Sequence, residues 1–160
     1  MVNFALALIP KETLQATIDK FLKTQGHDTL NQRAYTALAS RPAPLFIETR
    51  TTSSTADRSK VRLGIWVAAW YQRLRDANSA KDPMSIHLLQ VWGNVWHVLF
   101  AADEKDKITL IGQAVRIGDT TSIVGMYQLL TALRVNGKWA DTEFRTWIGD
   151  FLANIEIPSQ

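Results

Sequence analysis

Hydrophobic residues recur at helical spacing from the first residues of the chain onward. Pro10 suits a first helical turn and Gly26 a helix end, and a shorter repeat runs from Asp28 to Ser40, just before Pro42. Spacings of three and four residues place apolar side chains on one helical face. The pattern therefore predicts two amphipathic helices, the first with the apolar stripe Leu14, Ile18, Phe21 and Leu22.

The segment 41–57 interrupts this helical pattern. Two prolines precede Leu45, and a run of Thr and Ser follows Arg50. Proline disfavours helix in the residue before it, and β-branched residues favour extended chain. We predict an irregular or hairpin-like excursion over residues 41–57.

Two nearly all-apolar segments follow, and each carries a pair of tryptophans spaced i,i+4. Trp66 and Trp70 lie in the segment 59–77, and Trp92 and Trp96 lie in the segment 83–101, which opens with Asp82 as a cap and Pro83. On a helix, residues four apart share a face. The pattern predicts two buried central helices, each with an aromatic stripe.

Three further helices complete the prediction. They cover residues 108–118, the stretch from Asp119 to Asn136, and the stretch from Asp141 or Thr142 to Ile155. The predicted fold class is all-α: a single compact bundle of about six to seven helices over residues 1–160. Residues 1–9 form a possible apolar N-terminal arm, which packs on its own bundle or on a neighbouring subunit.

Composition supports a globular protein but identifies no chemistry. The chain has 160 residues, 46% of them hydrophobic, and no cysteine. No apolar run reaches the roughly 20 residues of a membrane span, so no membrane partner is expected. The absence of cysteine fits a cytoplasmic or other intracellular location, including a virion.

Positive charge is concentrated in one quarter of the chain. Residues 41–80 hold seven Lys and Arg against three Asp and Glu, whereas the whole chain has a net charge of +3. Six of the seven are arginine, which favours bidentate contacts with phosphate or carboxylate. The predicted nucleic-acid-binding residues are Arg41, Arg50, Arg58, Lys60, Arg62, Arg73 and Arg75, with Trp66 and Trp70 as possible base-stacking residues.

No pattern predicts a catalytic residue, a metal site or a cofactor. His87 and His97 are ten residues apart without a ligand spacing, and the acidic turn at 103–106 does not continue as a Ca²⁺ loop. The stretch GDTTS at 118–122 can hold an anion at a helix start, but capping by Asp119 explains it.

These observations favour a non-enzymatic helical interaction or assembly subunit that binds RNA or DNA through the Arg-rich segment. It would act within a ribonucleoprotein or a nucleocapsid-like or coat-like assembly. The alternative is a homo-oligomeric protein-binding adaptor or regulator whose basic face meets an acidic partner. A third hypothesis is a helical enzyme or ligand-binding protein with a pocket between the two apolar helices.

Overall fold

The structure is a computed structural model that describes residues 4–25, 29–31, 38–50, 56–77, 83–104 and 107–153. The predicted second helix, residues 28–40, lies largely outside the described residues. Within them, the chain contains both strands and helices, with three strands in succession between the second and third helices. The domain is therefore mixed α/β, and the all-α prediction is wrong.

The described strands form a single mixed sheet whose spatial order follows the chain order. The first strand, β1, pairs antiparallel with β2, and β2 pairs parallel with β3. The strands β3, β4 and β5 then form an antiparallel meander. The five strands are β1 (Phe4–Leu6), β2 (Leu45–Arg50), β3 (Ile86–Trp92), β4 (Val95–Asp103) and β5 (Ile108–Asp119).

Helices connect and cover this sheet. The crossover between the parallel strands β2 and β3 contains α2 (Ala56–Ala77), as such a connection requires. After β5 the chain forms one continuous helical rod, in which a π-helical turn joins two α-helices. The other helices are α1 (Glu12–Gln25), α3 (Ile123–Trp139) and α4 (Arg145–Ala153), with the π turn at Ala140–Phe144.

Two predicted helices, 83–101 and 108–118, are strands. A continuous apolar run does not distinguish a buried strand from a buried helix, because both are apolar on every side. The residue that distinguishes strand from helix here is Gly93, which has a φ of 57° and lies in the turn between β3 and β4. The predicted helices around Leu14 and Trp70, by contrast, are present as α1 and α2.

The second tryptophan pair consequently has a different geometry from the predicted one. Trp92 ends β3, whereas Trp96 lies in β4 opposite Val91. Because side chains alternate along a strand, the two indoles lie on opposite faces of the sheet. Trp70, in contrast, lies on a helix and is buried in the core.

The core lies on both faces of the sheet. On one face, α1, α2 and the end of the helical rod enclose a large apolar cluster that includes Phe46, Leu88 and Leu99. On the other face, Leu133 of α3 packs against a smaller cluster around Leu45, Leu89 and Val98. We call these the α2 face and the α3 face.

Tyr71 connects α2 to the sheet. Its hydroxyl hydrogen-bonds the carbonyl oxygens of Met84, at 3.0 Å, and Ala101, at 2.8 Å. Burial raises the pKa of this hydroxyl far above its usual range. The neutral phenol therefore fixes the position of α2 over β3 and β4.

Candidate functional site

A row of polar side chains crosses the α2 face at one end of the sheet. Glu48 on β2 is the register partner of Gln90 on β3, Gln90 of His97 on β4, and His97 of Arg116 on β5. Register partners share a face and lie about 5 Å apart. Many other described residues of this face belong to the apolar cluster, and these four residues are here called the polar row.

A bulge in β5 gives the polar row its fourth member. Trp96 pairs with Gly118, but the next residue, His97, pairs with Arg116, so that Ile117 is an extra residue. An extra residue in one strand reverses the faces of the residues beyond it. The bulge therefore places Arg116 on the same face as His97.

The buried end of the polar row is Glu48. Its side chain is inaccessible to solvent, yet its Oε1 contacts Arg50 at 2.6 Å and Arg62 of α2 at 3.6 Å. Its other oxygen, Oε2, is buried without a hydrogen-bond partner. A buried carboxylate oxygen without a partner is costly in a folded protein, and such atoms mark places where a ligand or an ordered water binds.

In the middle of the polar row, the imidazole of His97 contacts the indole of Trp92, which lies beside the row on β3. The rings of His97 and Trp92 are tilted against each other, with centroids 4.3 Å apart. Burial lowers the pKa of His97, the positive charge of Arg116 lowers it further, and a hydrogen bond with the backbone of Gln90 opposes both. His97 Nδ1, Trp92 Nε1 and Arg50 Nε are all buried without hydrogen-bond partners.

Of the predicted nucleic-acid-binding residues, the structure brings Arg50 and Arg62 together around Glu48. Arg50 is half-buried and Arg62 is exposed. Lys60 lies two residues before Arg62 on α2 and is half-buried, and Arg58 lies in the first turn of the same helix. The N-terminal part of α2 is therefore basic beside the polar row.

The remaining predicted residues lie elsewhere. Arg73 donates to the carbonyl oxygen of Thr29, and Arg75 pairs with Asp103 at the opposite end of the sheet. Arg41 is exposed in the segment that leads into β2. Arg41, Arg73 and Arg75 are therefore not part of the site around the polar row.

The two predicted stacking residues pack against other aromatic rings. Trp66 is half-buried, with its ring 5.9 Å from that of Phe46 in an edge-on arrangement. Trp70 contacts Tyr71, Phe144 and Trp147. This packing supports a structural role for both indoles.

Sequence reasoning missed Glu48, Gln90, His97 and Arg116. They are 42, 7 and 19 residues apart along the chain, and only the pairing of four strands brings them together. One signal was present: Gly93-Asn94 between two apolar runs is typical of a hairpin turn. A hairpin there would have predicted Gln90 and His97 as partners.

The stretch at 118–122 is the start of α3, and its polar groups bind one another. Asp119 accepts hydrogen bonds from the backbone N–H groups of Thr121, at 2.9 Å, and Ser122, at 3.0 Å. The Ser122 hydroxyl in turn caps Gly125 N–H. The carboxylate of Asp119 therefore occupies the position that an external anion would take.

A mixed sheet with a helical crossover and a polar row on one face defines an α/β domain with a candidate chemical site at one end of its sheet. Comparison with protein families assigns the domain to a superfamily. Residues 1–145 match the model of the PD-(D/E)XK nuclease superfamily, and the chain belongs to this superfamily. Comparisons with curated proteins and with solved structures gave no significant match.

This membership corrects the functional prediction. The family points to an enzyme, a nuclease, so the predictions of a non-enzymatic assembly subunit and of no catalytic activity are wrong. Nucleic acid as a partner agrees with the family, because nucleases of this superfamily act on nucleic acid. Among the described residues, no helix is both long and apolar enough to cross a membrane.

The signature in the superfamily's name is present only in altered form. The sequence contains no Pro-Asp pair, and Asp or Glu, any residue and Lys occur together only at Asp103-Glu104-Lys105. Asp103 pairs with Arg75 far from the polar row, and Lys105 lies outside the described residues. Glu48-Thr49-Arg50 has the same spacing with Arg in place of Lys, and alternation places Glu48 and Arg50 on one face.

Carboxylates in nucleases commonly hold divalent cations, which need several oxygen ligands at one point. No group of three or more His, Asp or Glu residues that could hold a metal occurs within the described part of the chain. Glu48, the only carboxylate in the polar row, already contacts two guanidinium groups. The described residues therefore do not fit a carboxylate-held cation.

Proposed function

We propose that the protein is a nuclease that hydrolyses phosphodiester bonds of nucleic acid at the polar row. The observation that carries the proposal is the buried, unpartnered Oε2 of Glu48 between two arginines, in a domain of a nuclease superfamily. The Glu-x-Arg spacing of Glu48 and Arg50 supports it, because it differs from the superfamily signature by one basic residue.

The roles follow from the chemistry of each group. Glu48 Oε2 accepts a hydrogen bond from a water molecule and takes its proton as the water oxygen attacks phosphorus. The guanidinium groups of Arg50 and Arg62, which contact Glu48, stabilise the negative charge of the phosphoryl oxygens. The P–O bond to the leaving sugar oxygen breaks, and that oxygen takes a proton from solvent at the exposed end of the row.

Substrate access is supported by a gradient of exposure along the polar row. The side chain of Glu48 is fully buried, whereas that of Arg116 is 59% exposed. A backbone phosphate would approach from the β5 side, past Arg116, and reach Glu48 from there. An intracellular location, predicted from the cysteine-free composition, agrees with a nucleic-acid substrate; a protein partner or self-association stays a prediction.

The test is hydrolysis of end-labelled single-stranded and double-stranded DNA and RNA, with EDTA and with Mg²⁺ or Mn²⁺. We expect wild-type cleavage of at least one substrate and a loss of about 100-fold or more in Glu48→Gln, the range for removing a general base. Thermal unfolding of Glu48→Gln checks that the fold persists.

The matched control is Glu143→Gln. Glu143-Phe144-Arg145 has the same Glu-x-Arg spacing, but Glu143 is exposed on the π turn. This variant should retain full activity. The proposal is wrong if the wild-type protein cleaves none of the substrates, or if the two variants are equally active.

A further inference from the structure

Three buried nitrogen atoms lie together next to Glu48 without hydrogen-bond partners. Arg50 and Trp92 are register partners at the ends of the parallel strands β2 and β3, and Trp92 contacts the ring of His97. Arg50 Nε, Trp92 Nε1 and His97 Nδ1 are all unpartnered. All three residues are on the α2 face. His97 belongs to the polar row, and Arg50 and Trp92 each lie two residues after a member of it on the same strand.

The chemistry of these atoms selects an anion. Indole and guanidinium nitrogens carry N–H groups that donate and cannot accept, and an imidazole also donates from Nδ1 once it is protonated. A buried donor without an acceptor costs free energy comparable to a lost hydrogen bond. A tetrahedral phosphate offers several acceptor oxygens in different directions, which matches donors that come from three different strands.

We propose that Arg50, Trp92 and His97 form a phosphate subsite that binds a phosphate group directly, without a divalent cation. The inference rests on the proposed function, since it names the substrate group held beside Glu48. In this subsite N–H donors, rather than a cation held by carboxylates, contact the phosphoryl oxygens. Glu48 then provides the acceptor for water, and Arg50, Trp92 and His97 beside it provide the donors for phosphate.

Two phosphate compounds distinguish the possible sources of the ligand. Dimethyl phosphate represents the backbone diester, and inorganic phosphate represents a cleaved end. Each is titrated in EDTA at constant ionic strength, with chloride as the reference anion. Tryptophan fluorescence and the midpoint of thermal unfolding are the two measurements, the second being independent of the indoles.

We expect a saturable change with at least one of the two compounds, unchanged when Mg²⁺ replaces EDTA. Trp92→Phe keeps an aromatic ring but removes the N–H donor, and it should weaken binding about tenfold, as expected for one hydrogen bond to a charged group. Trp96→Phe is the matched control, because Trp96 lies on the opposite face of the same hairpin. It should bind like the wild type.

The outcomes separate this inference from the proposed function. A saturable change with either compound that Trp92→Phe weakens supports the subsite, even if no nucleic acid is cleaved. A change that requires Mg²⁺, equal binding by the two variants, or no change with either compound overturns the subsite. Cleavage by a protein that shows no such binding supports the nuclease and refutes the subsite.

Discussion

Close packing between β5 and α3 depends on two glycines. Gly118 has a φ of 150°, in the range that favours glycine, and Gly125 lies against the carboxylate of Asp119. A Cβ atom at position 125 would come within 2.5 Å of Asp119 Oδ1. The start of α3 can therefore approach the end of β5 only because residue 125 has no side chain.

We expect Gly125→Ala to lower the free energy of unfolding by about 1–3 kcal/mol, because the carboxylate cannot move without breaking its capping hydrogen bonds. The control is Gly64→Ala in α2, where a Cβ meets nothing within 4 Å. That variant should be neutral or more stable by up to about 1 kcal/mol. Urea unfolding of both measures the difference; equal effects would contradict the packing argument.

The carboxylate of Asp119 also makes stability depend on pH. Hydrogen bonds from Thr121, together with Arg116 and Ser122, hold its pKa well below the usual range. In the unfolded chain the group titrates near about 3.9. The stabilisation is thus complete above that value and is lost as the pH falls toward the lower folded-state pKa.

We therefore expect Asp119→Asn to be less stable than the wild type at pH 7 and the gap to shrink by pH 3. Urea unfolding of both proteins at the two pH values provides the measurement. A gap that stays constant or widens in acid would show that the ionised carboxylate is not the source of the stabilisation.

At the scale of elements, α2 is fixed to the sheet through a buried hydroxyl. Tyr71→Phe leaves the carbonyl oxygens of Met84 and Ala101 without this donor. We expect a loss of about 1–3 kcal/mol in the free energy of unfolding, the cost of unsatisfied buried groups. Tyr127→Phe, on the exposed side of α3, should change it by less than about 0.5 kcal/mol.

Elements with clear ends were the ones that sequence could predict. The first helix has a proline start and a regular apolar stripe, and α2 was predicted within a few residues of its observed bounds. The strand β3 could not be recognised by its apolar pattern, because burial on both faces removes the alternation that identifies a strand. Only the Gly93 turn carried that information.

The candidate site was predictable in its charge and not in its chemistry. Arg50 and Arg62 were predicted as phosphate contacts from the arginine excess in residues 41–80, and they stay predictions that the structure groups around Glu48. Glu48 itself is one acidic residue in a short segment, without a local pattern. Its neighbours come from the pairing of β2 with β3 and from a bulge in β5, which are long-range features.

At the scale of the whole molecule, the basic groups around the polar row should set the salt dependence of nucleic-acid binding. We expect Arg116→Ala to weaken binding of a labelled oligonucleotide and to reduce the slope of log K against log salt by about 0.7–0.9, one phosphate contact. Arg134→Ala removes an equal charge from exposed α3, on the other side of the sheet. It should leave the slope near the wild-type value.

Fluorescence anisotropy at several salt concentrations measures both slopes. Arg134→Ala separates a specific contact from a general effect of net charge, because both variants lower the formal charge of +3 by one. If both substitutions reduce the slope equally, nucleic acid does not meet the protein at the polar row.

The extra residue Ile117 has a consequence for comparing this chain with its relatives. If the ladder continued from the pair Trp96–Gly118 without a bulge, Ile117 would pair with His97 and Arg116 would lie on the far face of β5, although every polar residue of the site would still be in the sequence. A relative could thus lose the fourth position while an alignment still showed the arginine, or keep it with a different residue brought round by its own bulge. In this domain, the number of residues between two paired positions on β5 determines the site as much as the identity of the side chains does.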